Sequence, residues 1–320
     1  MIYTEADGAA GVVPAKRVVG ATGVAVHPLA IDGSLFGWAA GVDDTNDVLD
    51  RFVEAGGNLI STADHYAGGR SEVMIGSWLR EQKNRGDLIV ATKVGRHPDA
   101  RGLGHRTILR AVDTCLARLG TDYIDFLSFD GEHLESPIDE SLEAADRVIR
   151  EGKVRFLSAA GYSASRFAQV QAIAAESAYP QFRAMVVEYN LMERTQFEGA
   201  VQAAAAALGT AAFVRLPLAS GYLTGRFRTR DDLPDSVMFG AAMQYIGRRG
   251  NHVLAALDSV AAQTGETPAR VAIAWVLHKP GVAAAVVRAK DPHQLDAMLG
   301  AASLRLSRHQ IGELDRASVT

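Results

Sequence analysis

Short apolar runs recur along the chain, separated by longer stretches whose apolar positions return every three to four residues. The runs fall at 28–32, 58–61, 88–93, 123–129, 154–158, 184–187, 211–216 and 282–287. Each is nearly continuous rather than alternating, the pattern of a strand covered on both faces. The longer stretches, near 44–55, 71–84, 106–119, 138–151, 164–175, 195–207, 268–279 and 292–299, read as amphipathic helices. Within 106–119, Ile108, Leu109, Val112, Cys115, Leu116 and Leu119 make one apolar face, so the sole cysteine reads as a core thiol. Strands buried on both faces and alternating with helices imply a parallel sheet, and eight such units predict closure into a (β/α)8 barrel. The expected domain is a single one over 1–320, with a long irregular loop at about 220–240 after the seventh strand as a candidate lid or cofactor loop. An open doubly wound sheet would place a glycine-rich phosphate turn after its first strand, and no G-x-G-x-x-G stands there.

Composition narrows the class of partner. The chain has 320 residues, 48% of them hydrophobic, enough to bury one large core. Its 33 basic and 37 acidic residues leave a net charge of -4, with no block of like charge. That argues against nucleic acid and membrane surfaces and leaves a small molecule as the expected partner, with a monomer or small homo-oligomer as the expected assembly. One cysteine permits no internal disulfide, the N-terminus lacks a basic-then-apolar signal layout, and no run approaches the ~18 apolar residues of a membrane span. The expected location is the cytoplasm.

A barrel assembles its chemistry from the C-terminal ends of its strands. Those ends read Asp32, Ser61 with Tyr66, Lys93, Asp130, Ala160 with Gly161, Val186 with Glu188, Arg215, and Arg288 with Lys290. A cationic amine near a phenol favours phenolate, which makes Tyr66 with Lys93 a usable acid or base near neutral pH. Asp130 reads either as an acid or as a carboxylate paired with Arg215 or Lys93. Arg215 and Asp32 read as contacts for a substrate anion and for a substrate hydroxyl or amine, or as bridged to each other. His65, His97 and His133 lie in loops near the mouth; His133 is a candidate auxiliary acid/base, and no histidine pair has metal-ligand spacing, so no metal is expected. No Ser-His-Asp order with a G-x-S-x-G elbow supports a serine hydrolase.

FGW at 36–38, STADHY at 61–66, GGRSEVMIGSWL at 68–79, ATKVG at 91–95, RLGTDYID at 118–125, GKVR at 152–155, EYN at 188–190 and PLASGYLTGRF at 217–227 together resemble the aldo-keto reductases, most closely bacterial members with a long loop after the seventh strand. The resemblance implies a TIM barrel that reduces carbonyls with NADPH through an Asp, Tyr, Lys and His tetrad. In it the tyrosine donates the proton, the lysine lowers its pKa and the aspartate orients the lysine. Tyr66 and Lys93 match; the aspartate becomes Ser61 and the histidine becomes Asp130. The Ser-Asn pair and the Gln that bind the carboxamide become Ala160, Gly161 and Val186, and the tyrosine under the nicotinamide becomes Arg215. A guanidinium there opposes the positive ring of oxidised NADP. The Gly-Thr pair after the first strand reads Asp32 and Gly33. Arg288 and Lys290 match basic residues that hold a 2'-phosphate, Leu218 and Gly221 fall in the cofactor loop, and Trp38 and His65 stand as substrate contacts.

Three expectations follow. The first is a non-redox enzyme in which Tyr66, Lys93 and Asp130, with Ser61, transfer protons in elimination, isomerisation or ring closure of a carbonyl- or hydroxyl-bearing small molecule. The second is an NADPH-dependent carbonyl or enone reductase. The third is a non-catalytic ligand-binding barrel.

Overall fold

Eight continuous apolar runs become eight parallel strands that close on themselves in the computed structural model, which describes residues 14–232 and 240–319. They are β3 Leu29–Asp32, β4 Leu59–Ser61, β5 Ile89–Val94, β6 Ile124–Asp130, β7 Val154–Ala160, β8 Phe182–Glu188, β9 Ala211–Arg215 and β10 Val282–Val287, with β10 pairing β3 to complete the barrel. A short antiparallel hairpin, β1 Arg17–Val18 and β2 Ala25–Val26, precedes them. Its Val19, Val24 and Val26 join the apolar cluster inside the barrel. The helices are α1 Val42–Glu54, α2 Arg70–Gln82, α3 His105–Leu119, α4 Ile138–Arg150, α5 Ala164–Glu176, α6 Ala200–Ala207, α7 Arg248–Thr264, α8 Pro268–Leu277, α9 Pro292–Leu299 and α10 Arg308–Ala317.

All eight strands lie where the apolar runs place them, and three helical features differ from the sequence expectation. The helix expected over 195–207 begins only at Ala200, after Gly199 at φ 82°. Helices α7 and α10 are additions to the eight repeated units. α7 buries Val253, Leu254, Leu257, Val260 and Ala261, an ordinary helical period that the strict strand–helix alternation leaves no place for. The loop expected at 220–240 is largely short 3-10 turns, Ala219–Thr224 and Arg230–Asp232, and its remainder at 233–239 lies outside the described residues. No helix among the described residues is long and apolar enough to cross a membrane.

The strands have two dry faces. Ile31, Ile60, Val90, Leu127, Leu157, Met185 and Val214 pack outward with the helices, while Ala30, Leu59, Ala91, Phe126, Ala160, Ala184, Val186, Phe213 and Val286 fill the barrel. Because strand side chains alternate, stepping by two from the interior set toward the C-terminal ends gives Asp32, Ser61, Lys93, Asp130, Glu188, Arg215 and Arg288. The charged mouth is therefore the last layer of the barrel's own interior.

Candidate active site

Lys93 ends the interior face of β5 and is 7% exposed. Its Nζ donates to the Thr62 carbonyl at 2.6 Å and to Ser61 Oγ at 3.3 Å, and lies 4.8 Å from the centroid of the Tyr66 ring. Tyr66 begins a 3-10 turn, Tyr66–Gly69, in which Ala67, Gly68 and Gly69 all have positive φ. Arg118 from α3 pins this turn: it donates to the Asp64 carbonyl at 3.1 Å and to Glu72 Oε2 at 3.2 Å, and its guanidinium occupies the space a side chain on Gly69 would need. Glu72 is fully buried and also accepts from Thr92 Oγ1 at 2.8 Å. Burial holds the Glu72 carboxyl above its usual pKa, offset in part by Cys115, Thr92 and Arg118. Cys115 is the core thiol expected of it, buried beside Glu72 with its pKa raised well above normal by burial and by that carboxylate.

The phenol is not the phenolate that the Tyr66–Lys93 pairing alone suggests. Burial raises the Tyr66 pKa, Lys93 lowers it, and Asp32 and Asp130 raise it again, with the balance above the ordinary phenol value. Burial lowers the Lys93 pKa, but Tyr66, Asp32 and Asp130 outweigh it and keep the amine above its ordinary value. Near neutral pH the pair is thus a protonated phenol beside an ammonium.

Asp130 pairs with neither Arg215 nor Lys93. Its Oδ1 takes Arg96 Nε at 3.1 Å, a partner three residues beyond Lys93 that sequence reasoning passed over because loop direction is not written in strand periodicity. His133 is not an open auxiliary base: Nε2 lies 2.9 Å from the Asp130 carbonyl and Nδ1 lies 3.1 Å from Glu135 Oε1. Arg215 is not bridged to Asp32; its Nη2 binds Glu188 Oε2 at 2.8 Å, leaving the guanidinium half exposed. Asp32 is 9% exposed and accepts from the Ser34 amide at 3.0 Å. His65 stands edge-on to Tyr66 at 4.9 Å between ring centroids, its Nδ1 3.3 Å from Asp64 Oδ1. Trp38, 59% exposed, stands on the turn after β3.

The far side of the mouth has the chemistry of a phosphate site. Leu216, Ala219, Ser220 and Gly221 all adopt positive φ in the turn after β9, and Leu218 accepts from the amides of Gly221 and Leu223 through its carbonyl. The Ala219 amide is likewise taken, by the Leu216 carbonyl at 2.9 Å, so the side-chain cations rather than the turn amides carry the anion-binding chemistry here. Arg288 is half-buried with no side-chain hydrogen bond or ion pair among the described residues, and Lys290 is exposed, 3.9 Å from Asp291. Ala160 and Val186 are apolar and nearly buried, and Gly161 faces open space.

The sequence model of the Aldo/keto reductase family matches residues 34–319. The chain belongs to the aldo/keto reductase family. It is similar to a "Putative voltage-gated potassium channel subunit beta" of Schizosaccharomyces pombe, 26% identical over 295 residues that cover 87% of this chain and 85% of that protein. Family membership makes NADP(H) the cofactor to test against these residues. The basic half fits its phosphates: Arg288 and Lys290 offer cations. At the positions that the family resemblance assigns to the nicotinamide carboxamide, Ala160, Gly161 and Val186 offer no side-chain hydrogen-bond partner.

Proposed function

We propose that this protein is an NADP(H)-linked oxidoreductase acting on a small carbonyl compound, with Tyr66 as the proton donor. One observation carries the reading: the buried Lys93 ammonium, 4.8 Å from the Tyr66 ring, in surroundings that keep the phenol protonated. A protonated phenol is an acid, and carbonyl reduction asks the chain for an acid. Elimination and isomerisation also need a base, and the groups expected to provide one are engaged, Asp130 by Arg96 and Lys93 by its own proton.

Arg288 and Lys290 would hold the dinucleotide phosphates, and Leu218 and Gly221 line the turn after β9. When bound, NADPH supplies the hydride. The chain's part is to bind the substrate oxygen at the Tyr66 hydroxyl, to stabilise developing negative charge with Lys93, and to exclude water with Ala160 and Val186. His65 and Trp38 flank this position as substrate contacts.

With Arg215 in place of an aromatic ring, the charge of the nicotinamide matters. A cation near the ring disfavours NADP+ and leaves the uncharged reduced ring of NADPH unaffected. Fluorescence titration with both forms is expected to give tighter binding of NADPH, and Arg215→Tyr is expected to narrow the difference. Failure of NADPH to bind at millimolar concentration would sink the proposal. It would favour a second reading, acid-assisted chemistry without hydride transfer, which the apolar Ala160, Gly161 and Val186 at the carboxamide position support.

A further inference from the structure

A buried ammonium needs a counter-charge, because an unpaired charge out of water is strongly disfavoured. The hydrogen bonds that Lys93 Nζ makes to the Thr62 carbonyl and Ser61 Oγ go to neutral oxygens, and its other hydrogen-bonding neighbour is the Tyr66 side chain. The titratable groups acting on it are Tyr66 from the turn after β4, Asp32 from β3 and Asp130 from β6. Tyr66 carries no charge near neutral pH, and Asp130 is paired with Arg96 at 3.1 Å. Asp32 differs from Asp130 in pairing and in burial. It has no ion pair among the described residues, it is 9% exposed, and only its Oδ1 is engaged, by the Ser34 amide. It is also the register partner of Ser61 across the β3–β4 ladder, on the same interior face, which sets the two backbones ~4.8 Å apart. The serine that accepts from Lys93 is therefore flanked by a buried carboxylate.

We infer that Asp32 is the counter-charge of Lys93, a positioning carboxylate supplied by β3 that holds the buried ammonium beside the Tyr66 ring. Asp32 is thereby reassigned from contacting substrate to holding the lysine. The inference does not depend on which reaction the mouth performs, since it concerns the charge state of a lysine that any such chemistry would use.

The test reads that lysine directly. The chain has six lysines, so side-chain 15N-labelled lysine gives few enough signals to assign Lys93 with a Lys93→Arg variant. Asp32→Asn keeps an oxygen for the Ser34 amide and removes only the charge, so a merely structural role would leave the titration unmoved. The Lys93 midpoint is expected to fall by about one to three pH units in Asp32→Asn, the range for losing one opposite charge within a few ångströms beyond direct contact. It is expected to change less in Asp130→Asn and to recover in Asp32→Asn/Ser61→Asp, where the carboxylate returns one strand over. Should Asp32→Asn fail to fold, Asp32→Ser, whose hydroxyl can also accept from Ser34, takes its place. An unchanged midpoint on losing the Asp32 charge, or a larger fall in Asp130→Asn, overturns the inference.

Discussion

Tyr66 is the residue on which the functional reading turns, and its protonation state dictates what its loss should do. Removing a positioned general acid costs about 10²- to 10⁴-fold in rate, so Tyr66→Phe is expected to lower kcat by that order while leaving NADPH affinity unchanged. Because burial and the two aspartates keep the phenol above its ordinary value, the wild-type rate should stay flat through neutral pH and decline only on the alkaline side of about 10. A decline beginning near pH 7 would mean that a different group is the acid. Stability carries the same signature. Lys93 binds its proton more tightly folded than unfolded, so its contribution is complete below the unfolded lysine value of about 10.4 and disappears as pH rises through the higher folded value. The raised phenol has the same sign, starting near 10. Denaturant unfolding of the wild type should therefore weaken steeply above pH 10, and Lys93→Met should retain only the phenol's share of that slope.

At the scale of elements, the mouth depends on a turn that its own sequence does not stabilise. Tyr66–Gly69 contains three consecutive positive-φ residues, one of them Ala67, and is held by Arg118 from a helix some fifty positions along the chain. The same guanidinium pairs with the fully buried Glu72 at the start of α2. Gly76 lets α2 approach α3 closely, since a side chain there would strike the backbone at Arg118 and Leu119. Arg118→Leu leaves Glu72 buried without its cation and is expected to cost about 3–5 kcal/mol in denaturant unfolding, the usual penalty for halving a buried ion pair. A loss below about 1 kcal/mol would show that Thr92 and the surrounding packing hold the turn unaided. The motifs GGRSEVMIGSWL and RLGTDYID thus acquire one shared structural reason: they are the two halves of the clamp behind Tyr66. Their residue types were legible along the chain, but their contact was not, because it joins two helices.

For the whole molecule, the closed barrel gathers an acid and its lysine from β4–β5 and the cations that follow β9 and β10 at one mouth. A dinucleotide spanning that mouth would couple to global stability. NADPH at 100 times its Kd should add about 2.7 kcal/mol and raise the melting temperature by several degrees, a shift readable in a thermal scan. Arg288→Ala should diminish that shift and its salt dependence together, because exposed phosphate contacts are screened. The eight strands, the polar ends of the strands and most of the helices between them, though not α7, were determined by the sequence alone, since period-two and period-3.6 patterns are local properties of the chain. Stepping by two along each strand also selects Asp32, Ser61, Lys93, Asp130, Arg215 and Arg288 without any knowledge of their neighbours. Which charge meets which was decided only by tertiary structure. Asp130 turns to Arg96, Arg215 to Glu188, and Asp32 comes to flank the serine beneath Lys93. Those pairings follow from the register between strands and from the path of the loops, and neither is encoded within the few residues that make each strand.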